Sequence, residues 1–246
     1  MMLAVATMLT PYGLEIIENC ITCPVRQDRL FCNLPQDAVK RLDGISASAI
    51  YPKGATLFVQ GQAGRGVFIL CSGRVKLSTS SADGNTLILK VTEPGDVLGM
   101  PSTISGKPFE ASAEVLESCQ ANFISRADFL AFLRDNGDVA LRVAQELSDK
   151  YMTALDELKN IGLSHSAGEK LARFLLDWMA RQKQSADSTK MTLALTHEEI
   201  AQMIGASRET VTRLFADFKK KNLLEVKGSA LTIKNRAGLE QLVAGS

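Results

Sequence analysis

The chain has 246 residues, 46% of them hydrophobic and 22% charged, with a formal net charge of +1. That length suits one large domain or two ordinary ones, and the composition supports a packed core rather than a disordered chain. The apolar opening LAVATML is short, lacks a basic flank and stops at Pro11, so no transmembrane segment is expected and a cytoplasmic protein without a membrane partner is the default.

Residues 1–34 form a short segment holding three of the five cysteines, Cys20, Cys23 and Cys32. An odd cysteine count, completed by Cys71 and Cys119, argues against a disulfide framework. Residues 35–136 read as one domain. It opens with a helix over Gln36–Leu42, entered through Pro35. From about Ala49 to Ser125 short β-rich runs alternate with glycines: ATLFV, GVFIL, RVKLSTS, TLILKVT and SAEVLESCQANFIS. Gly73 marks a turn between two of these runs, and Asp83-Gly84 predicts a hairpin. The pattern is an antiparallel β-roll.

From Asp128 onward the period becomes helical. Residues 137–162 predict a long helix ending at Gly162. Along it Ala140, Ala144, Leu147, Tyr151, Ala154, Leu158 and Ile161 recur at alternating spacings of four and three, the seam of a two-stranded coiled coil. This predicts a homodimer, the alternative being a stripe that packs on the β-roll. Residues 163–246 form a further domain, beginning with a helix that carries Leu171, Phe174, Leu175 and Trp178 on one side. A polar break, KQSADSTK, follows.

This last region is the basic part of the chain. From Leu163 to Ser246 there are 13 Lys and Arg against 9 Asp and Glu, and from Ser207 to Arg236 there are 8 against 3. A local basic patch on an otherwise mildly acidic chain points to an anionic partner. The stretch LTHEEIAQMIGASRETVTRLFADFKKKNLLEVKGSALTIKN has the grammar of a winged helix-turn-helix. Thr196 and Glu199 are spaced for a capping box. Ile200, Met203 and Ile204 give the first helix an apolar face, Gly205 allows the turn, and Ser207 caps the second helix. Val211, Leu214 and Phe218 point inward, leaving Arg208, Glu209, Thr212 and Arg213 outward. A hairpin turning at Gly228-Ser229 forms the wing. An arginine fork matches the two acceptors of guanine, and a carboxylate accepts from cytosine. Thr210, Thr212, Lys219, Lys220, Lys221 and Lys227 are phosphate candidates. The expected partner is double-stranded DNA.

The order β-roll, long helix, winged helix-turn-helix resembles the CRP/FNR family of bacterial transcription regulators over nearly the whole chain. SRETVTR is its most specific match. The resemblance implies an α+β fold with a cyclic-nucleotide-binding-like sensor. It further implies base reading by Arg208, Glu209 and Arg213, palindromic sites with TGTGA-like halves, and contact with RNA polymerase. The FNR branch lacks an arginine at the position of Arg208.

In the family the β-roll is the sensor, and the cAMP-receptor branch holds its nucleotide with a glutamate on the ribose and an Arg-Ser pair on the phosphate. Here those stretches read PGDVLGM and GKPFEASAEV, with Val97-Leu98 in place of the first and Phe109-Glu110 in place of the second. Glu110 where a phosphate would sit is unfavourable, so a cyclic nucleotide is not expected. Cys20-x2-Cys23-x8-Cys32 resembles the cysteine group with which the FNR branch holds a [4Fe–4S] cluster, although that branch has a shorter second gap. The FNR branch's fourth ligand falls near Asn122 here. Cys119 and Cys71 are the candidate replacements, though strand alternation puts positions 119 and 122 on opposite faces. Zinc, a thiol switch at Cys20 and Cys23, and functionally silent cysteines beside a small-molecule anion or nucleotide sensor remain as alternatives. The two histidines, His165 and His197, have no catalytic partner in the sequence, and no nucleotide-loop or hydrolase motif is present, so no enzyme is expected.

Overall fold

The computed structural model describes residues 16–17, 19–21, 23, 30–163, 166–181, 190–192, 195–227 and 230–244. They divide into two compact units, with the boundary between Ala154 and Leu155.

In the first unit α1 (Gln36–Gly44) starts after Pro35 and buries Ala38, Val39 and Leu42. The roll follows: β1 (Ala47–Tyr51), β2 (Thr56–Phe58), β3 (Gly66–Ser80), β4 (Thr86–Thr92), β5 (Val97–Leu98), α2 (Met100–Ser105) and β6 (Ser112–Ser125). All pairings are antiparallel, in the order β1-β6-β3-β4, with β2 on β6 and β5 on β3. Helices α3 (Arg126–Asp135) and α4 (Gly137–Leu163) complete it.

Two expected strands, GVFIL and RVKLSTS, are one. Gly73 is not a turn. It lies inside β3, where the register against β6 shifts between Leu70 and Ser72, again before Arg74, and again before Val75. A bulge absorbs an extra residue without ending the strand. Residues 66–70 are buried on both faces, as a continuous apolar run requires. Val67 and Ile69 join Ile124 and a core shared with Phe31, α1, α3 and α4. Phe68 and Leu70 face the roll interior with Phe58, Phe109, Ala121 and Cys119. The Asp83-Gly84 hairpin forms as expected, with Gly84 at φ 83°.

The stripe on α4 divides. Val139 and Val143 are buried and Leu147 half-buried against the roll. Ala144, Tyr151 and Ala154 of the predicted seam are exposed, as are Leu141 and Met152. The helix runs one residue past Gly162. The side chains of Leu158 and Ile161 lie outside the described residues.

The second unit holds α5 (Ala167–Arg181), β7 (Lys190–Thr192), α6 (His197–Ile204), α7 (Arg208–Lys220), β8 (Leu224–Lys227), β9 (Ala230–Ile233) and α8 (Arg236–Ala244). Its core includes Leu171, Leu175, Ile200, Val211, Phe215, Phe218 and Leu231. Strand β7 and helix α8 were not expected from the sequence. The sheet order is β7-β9-β8. Gly228-Ser229, His165 and most of the polar break lie outside the described residues, but β8 and β9 pair antiparallel up to Lys227↔Ala230, as the predicted wing hairpin requires.

Candidate nucleic-acid interface and thiol cavity

The helix-turn-helix is built by its caps. Thr196 Oγ1 accepts from the Glu199 N–H at 3.2 Å, and the Glu199 carboxylate accepts from the Thr196 N–H at 2.8 Å, so two end donors of α6 are satisfied reciprocally. Gly205 ends α6 at φ 65°, a conformation glycine adopts without strain. Ser207 Oγ accepts from the Thr210 N–H at 3.2 Å and starts α7. Thr210, half-buried, is engaged in this cap through its hydroxyl, 3.0 Å from Ser207 Oγ. The inward face of α7 is Val211, Phe215 and Phe218. Leu214, expected inward, is only half-buried, because the buried arc is centred on Phe215.

Arg208, Glu209, Thr212 and Arg213 are exposed together on the first turns of α7. Neither arginine forms an ion pair among the described residues. The basic residues near the end of α7 differ among themselves. Lys221 is bound to Asp217 at 2.9 Å. Lys227 and Lys234 share Glu225, each at 2.8 Å, and hold its carboxyl down at about 2. Lys219 and Lys220 carry no such partner among the described residues, so they are the freest phosphate donors. Sequence reasoning missed His197 as a strut. Its ring stacks on Phe215 at 4.8 Å, and its Nδ1 lies 3.0 Å from Thr212 Oγ1. That hydroxyl donates to the Arg208 carbonyl at 2.9 Å, so Nδ1 carries the proton. No sequence period signals this contact, which spans 15 residues and two helices.

The cysteines occupy a second site. Cys20, Cys23, Cys32 and Cys71 line one cavity of about 50 Å³, together with Asp43, Ile69 and Asn122. That is several times the roughly 10–15 Å³ that admits one water. None of the five cysteines is in a disulfide, and Cys119 is buried in the roll interior instead. The expected alternation explains the separation: on β6, Cys119, Ala121 and Phe123 face inward, whereas Gln120, Asn122 and Ile124 face the N-terminal segment.

Several contacts hold the described residues of the segment there. The Gln120 amide accepts from the Ile17 N–H at 2.8 Å and donates to the Ile17 carbonyl at 2.7 Å. Phe31 is 1% exposed and packs on Phe129 of α3 at 5.7 Å. Arg142 of α4 donates to the Asn33 carbonyl at 2.5 Å. Burial is the main reason that the Cys20 thiol is pushed up to about 12, reinforced by the Asp43 carboxylate, which accepts its S–H. Burial likewise pushes Cys71 to about 12, followed by the nearby Cys23 and Cys32 sulfurs, while the Asn122 backbone N–H opposes the rise. Among the described residues, no three His, Cys, Asp or Glu side chains are arranged to hold a single metal ion, and no helix is long and apolar enough to cross a membrane.

In the roll, Phe109 is buried and stacks on Phe58 at 4.1 Å. Glu110 accepts from Ser102 Oγ at 2.6 Å.

Residues 49–136 match the cyclic nucleotide-binding domain family, and residues 169–242 the Crp-like helix-turn-helix domain family. A CRP-like cAMP-activated global transcriptional regulator of Mycobacterium tuberculosis is 28% identical over 186 residues, covering 75% of this chain and 83% of the relative. A cyclic AMP receptor protein of Thermus thermophilus is 26% identical over 196 residues, covering 80% and 88%. The solved structure of FixK2 from Bradyrhizobium japonicum shares the fold, with a TM-score of 0.71 at 22% identity over 80% of this chain and 97% of that one.

Proposed function

Because the chain belongs to the CRP/FNR family of DNA-binding transcription regulators, we propose that its N-terminal unit senses redox state or oxygen through an iron–sulfur cluster held by Cys20, Cys23 and Cys32. The observation that carries this reading is the position of the three thiols. They lie on one cavity against the sheet, in a segment tied down by Gln120, Phe31 and Arg142. The donor set fits the group, since soft thiolates are the usual cluster ligands and C-x2-C is a common spacing for them. Bound there, a cluster supplies a redox couple and iron–sulfur bonds that oxygen can break.

The protein's own residues do the rest. Without metal, the Cys20 S–H is held by Asp43 of α1. Ligation of Cys20 would release that proton to solvent and leave the Asp43 carboxylate free. Cys32 sits between Phe31, packed on α3, and Asn33, bonded to α4. A change in the segment therefore reaches α4, the helix through which the homodimer pairs. Shifting the packing of two such helices alters the spacing of the recognition helices, and only one spacing matches two half-sites about one helical turn apart. Arg208, Glu209 and Arg213 read bases, favouring a TGTGA-like half-site. Lys219, Lys220 and Lys227 bind phosphate. RNA polymerase is the further partner, and the cytoplasm is where such a regulator meets DNA.

The names of the relatives favour a second reading, a nucleotide or other small anion in the roll. Phe109 packed on Phe58, and Glu110, bonded to Ser102 where the resemblance implies a phosphate, weigh against it. The test is iron, acid-labile sulfide and zinc content of protein purified without oxygen, with a visible spectrum before and after air. About four irons and four sulfides per chain, bleaching in air, are expected for a cubane cluster. Colourless, metal-free protein that gains thermal stability with a nucleotide or small anion would favour the second reading.

A further inference from the structure

We infer that Cys71 supplies the fourth sulfur of the cluster site and that Asn122, on the neighbouring strand, is the hydrogen-bonding residue that supports it. This rests on the reading of Cys20, Cys23 and Cys32 as cluster ligands and extends it to the sheet, so that the N-terminal segment forms one side of the site and the roll forms the other.

Three observations carry it. First, Cys71 faces the same cavity as the three N-terminal thiols, whereas Cys119 faces the opposite side of the sheet. Second, Cys71 is the residue over which the β3–β6 register slips, Leu70 pairing with Ala121 and Ser72 with Gln120. A residue left out of the ladder in this way is re-aimed by the bulge, and bulges concentrate at functional sites for that reason. Third, Asn122 is 6% exposed, and its groups are directed at sulfur. Its side-chain Nδ2 donates to Cys20 Sγ at 3.7 Å, and its backbone N–H points to Cys71. Its Oδ1 is buried with no hydrogen-bond partner among the described residues. The two N–H donors that Asn122 turns to Cys20 and Cys71 suit a site whose sulfurs become acceptor-only thiolates.

The sulfurs are not arranged around one point, as a single zinc would need. A cubane places each cysteine on a different iron, so four thiols around a shared cavity suffice. Insertion of a preassembled cluster breaks four S–H bonds and forms four S–Fe bonds. The protons leave to solvent, and no cysteine is oxidised.

The experiment compares full-length wild type, Cys71→Ser, Cys119→Ala and Asn122→Leu. Each is reconstituted without oxygen with equal amounts of ferrous and ferric iron and with sulfide, and circular dichroism verifies that it is folded. Iron and sulfide content, the visible spectrum and the midpoint potential are then measured. The expected result is a full cluster in wild type and Cys119→Ala, and loss of most iron and of the visible band in Cys71→Ser. Asn122→Leu should keep its iron but titrate at a lower potential, because hydrogen bonds to sulfur favour the reduced cluster. Full iron with an unchanged spectrum in folded Cys71→Ser, or loss in Cys119→Ala instead, overturns the assignment while leaving the cluster reading intact. An unchanged potential in Asn122→Leu overturns the role of Asn122. Wild type that takes up no iron overturns both the assignment and the reading on which it rests.

Discussion

Arg208 stands in the first turn of α7, exposed and without an ion pair among the described residues. Lys220 stands at the other end of the same helix, also exposed. Their positions predict different losses. Arg208→Ala should cost about 1–3 kcal/mol on the preferred site and relax the requirement at one base pair. Lys220→Ala should weaken binding to every sequence alike and reduce the salt slope by about one. Binding titrations on matched and single-substituted sites at several salt concentrations separate the two. Equal loss of specific and non-specific DNA in Arg208→Ala would remove it from the base readers. His197 makes a different prediction. Burial first, then Lys219 and Arg208, lower its pKa below the ordinary 6.5. The unfolded chain therefore binds a proton that the folded one refuses, and the contribution of His197 to stability is complete above 6.5 and is lost as pH drops below it. Melting curves on either side of that pH should show a loss in wild type that is smaller in His197→Gln. Equal slopes would mean that the ring stack does not resist protonation.

At the scale of elements, β3 joins two strands into one, and Gly73 makes this possible. It has φ 77°, and a Cβ there would collide with the Ser118 carbonyl oxygen and lie 2.6 Å from Cys119 Cβ. Gly84, at φ 83° in the hairpin turn, has nothing within 4 Å of the point a Cβ would occupy. Gly84→Ala should therefore cost only the left-handed strain, about 1–2 kcal/mol. Gly73→Ala should add overpacking of about 1–3 kcal/mol to that strain. Urea midpoints compare them directly, and equal losses would show that the backbone at the bulge yields. The same strand marks what was legible in the sequence. Alternation along SAEVLESCQANFIS was enough to put positions 119 and 122 on opposite faces, and Thr196, Glu199 and Ser207 gave both caps of the reader. These features depend on local spacing. The bulge that turns Cys71 to the N-terminal segment depends on the register between β3 and β6, set over about 50 residues of intervening chain. The Gln120 clamp on Ile17 spans 103 residues. No periodicity reports such pairings. Strand β7 spans three described residues, too few for an alternating pattern to emerge.

For the whole molecule, the proposed cysteine sensor requires a route to DNA, and α4, which runs from the first unit into the second, is the element that would carry it. Its first turns bury Val139 and Val143 in the roll, while Leu141, Tyr151 and Met152 remain 60%, 63% and 52% exposed. That apolar face suits the dimer partner, so Tyr151→Glu should shift the protein toward monomer in light scattering and weaken palindromic sites far more than isolated half-sites. An unchanged dimer would place the pairing face elsewhere on the helix. On the proposed reading the link from the cysteines would be Arg142, whose guanidinium holds the Asn33 carbonyl beside Cys32. Allosteric coupling of the usual size, about 1–3 kcal/mol, corresponds to a roughly 5–150-fold difference in DNA affinity between cluster-loaded and cluster-free protein. The Arg142–Asn33 bond is exposed, so it supplies only part of such a coupling. Arg142→Ala should therefore retain its iron and its affinity in one state, while the ratio of affinities between the two states falls toward one. Preserved iron with a preserved ratio would mean that the signal leaves the cysteine segment by another contact, with Phe31 on α3 as the next to remove.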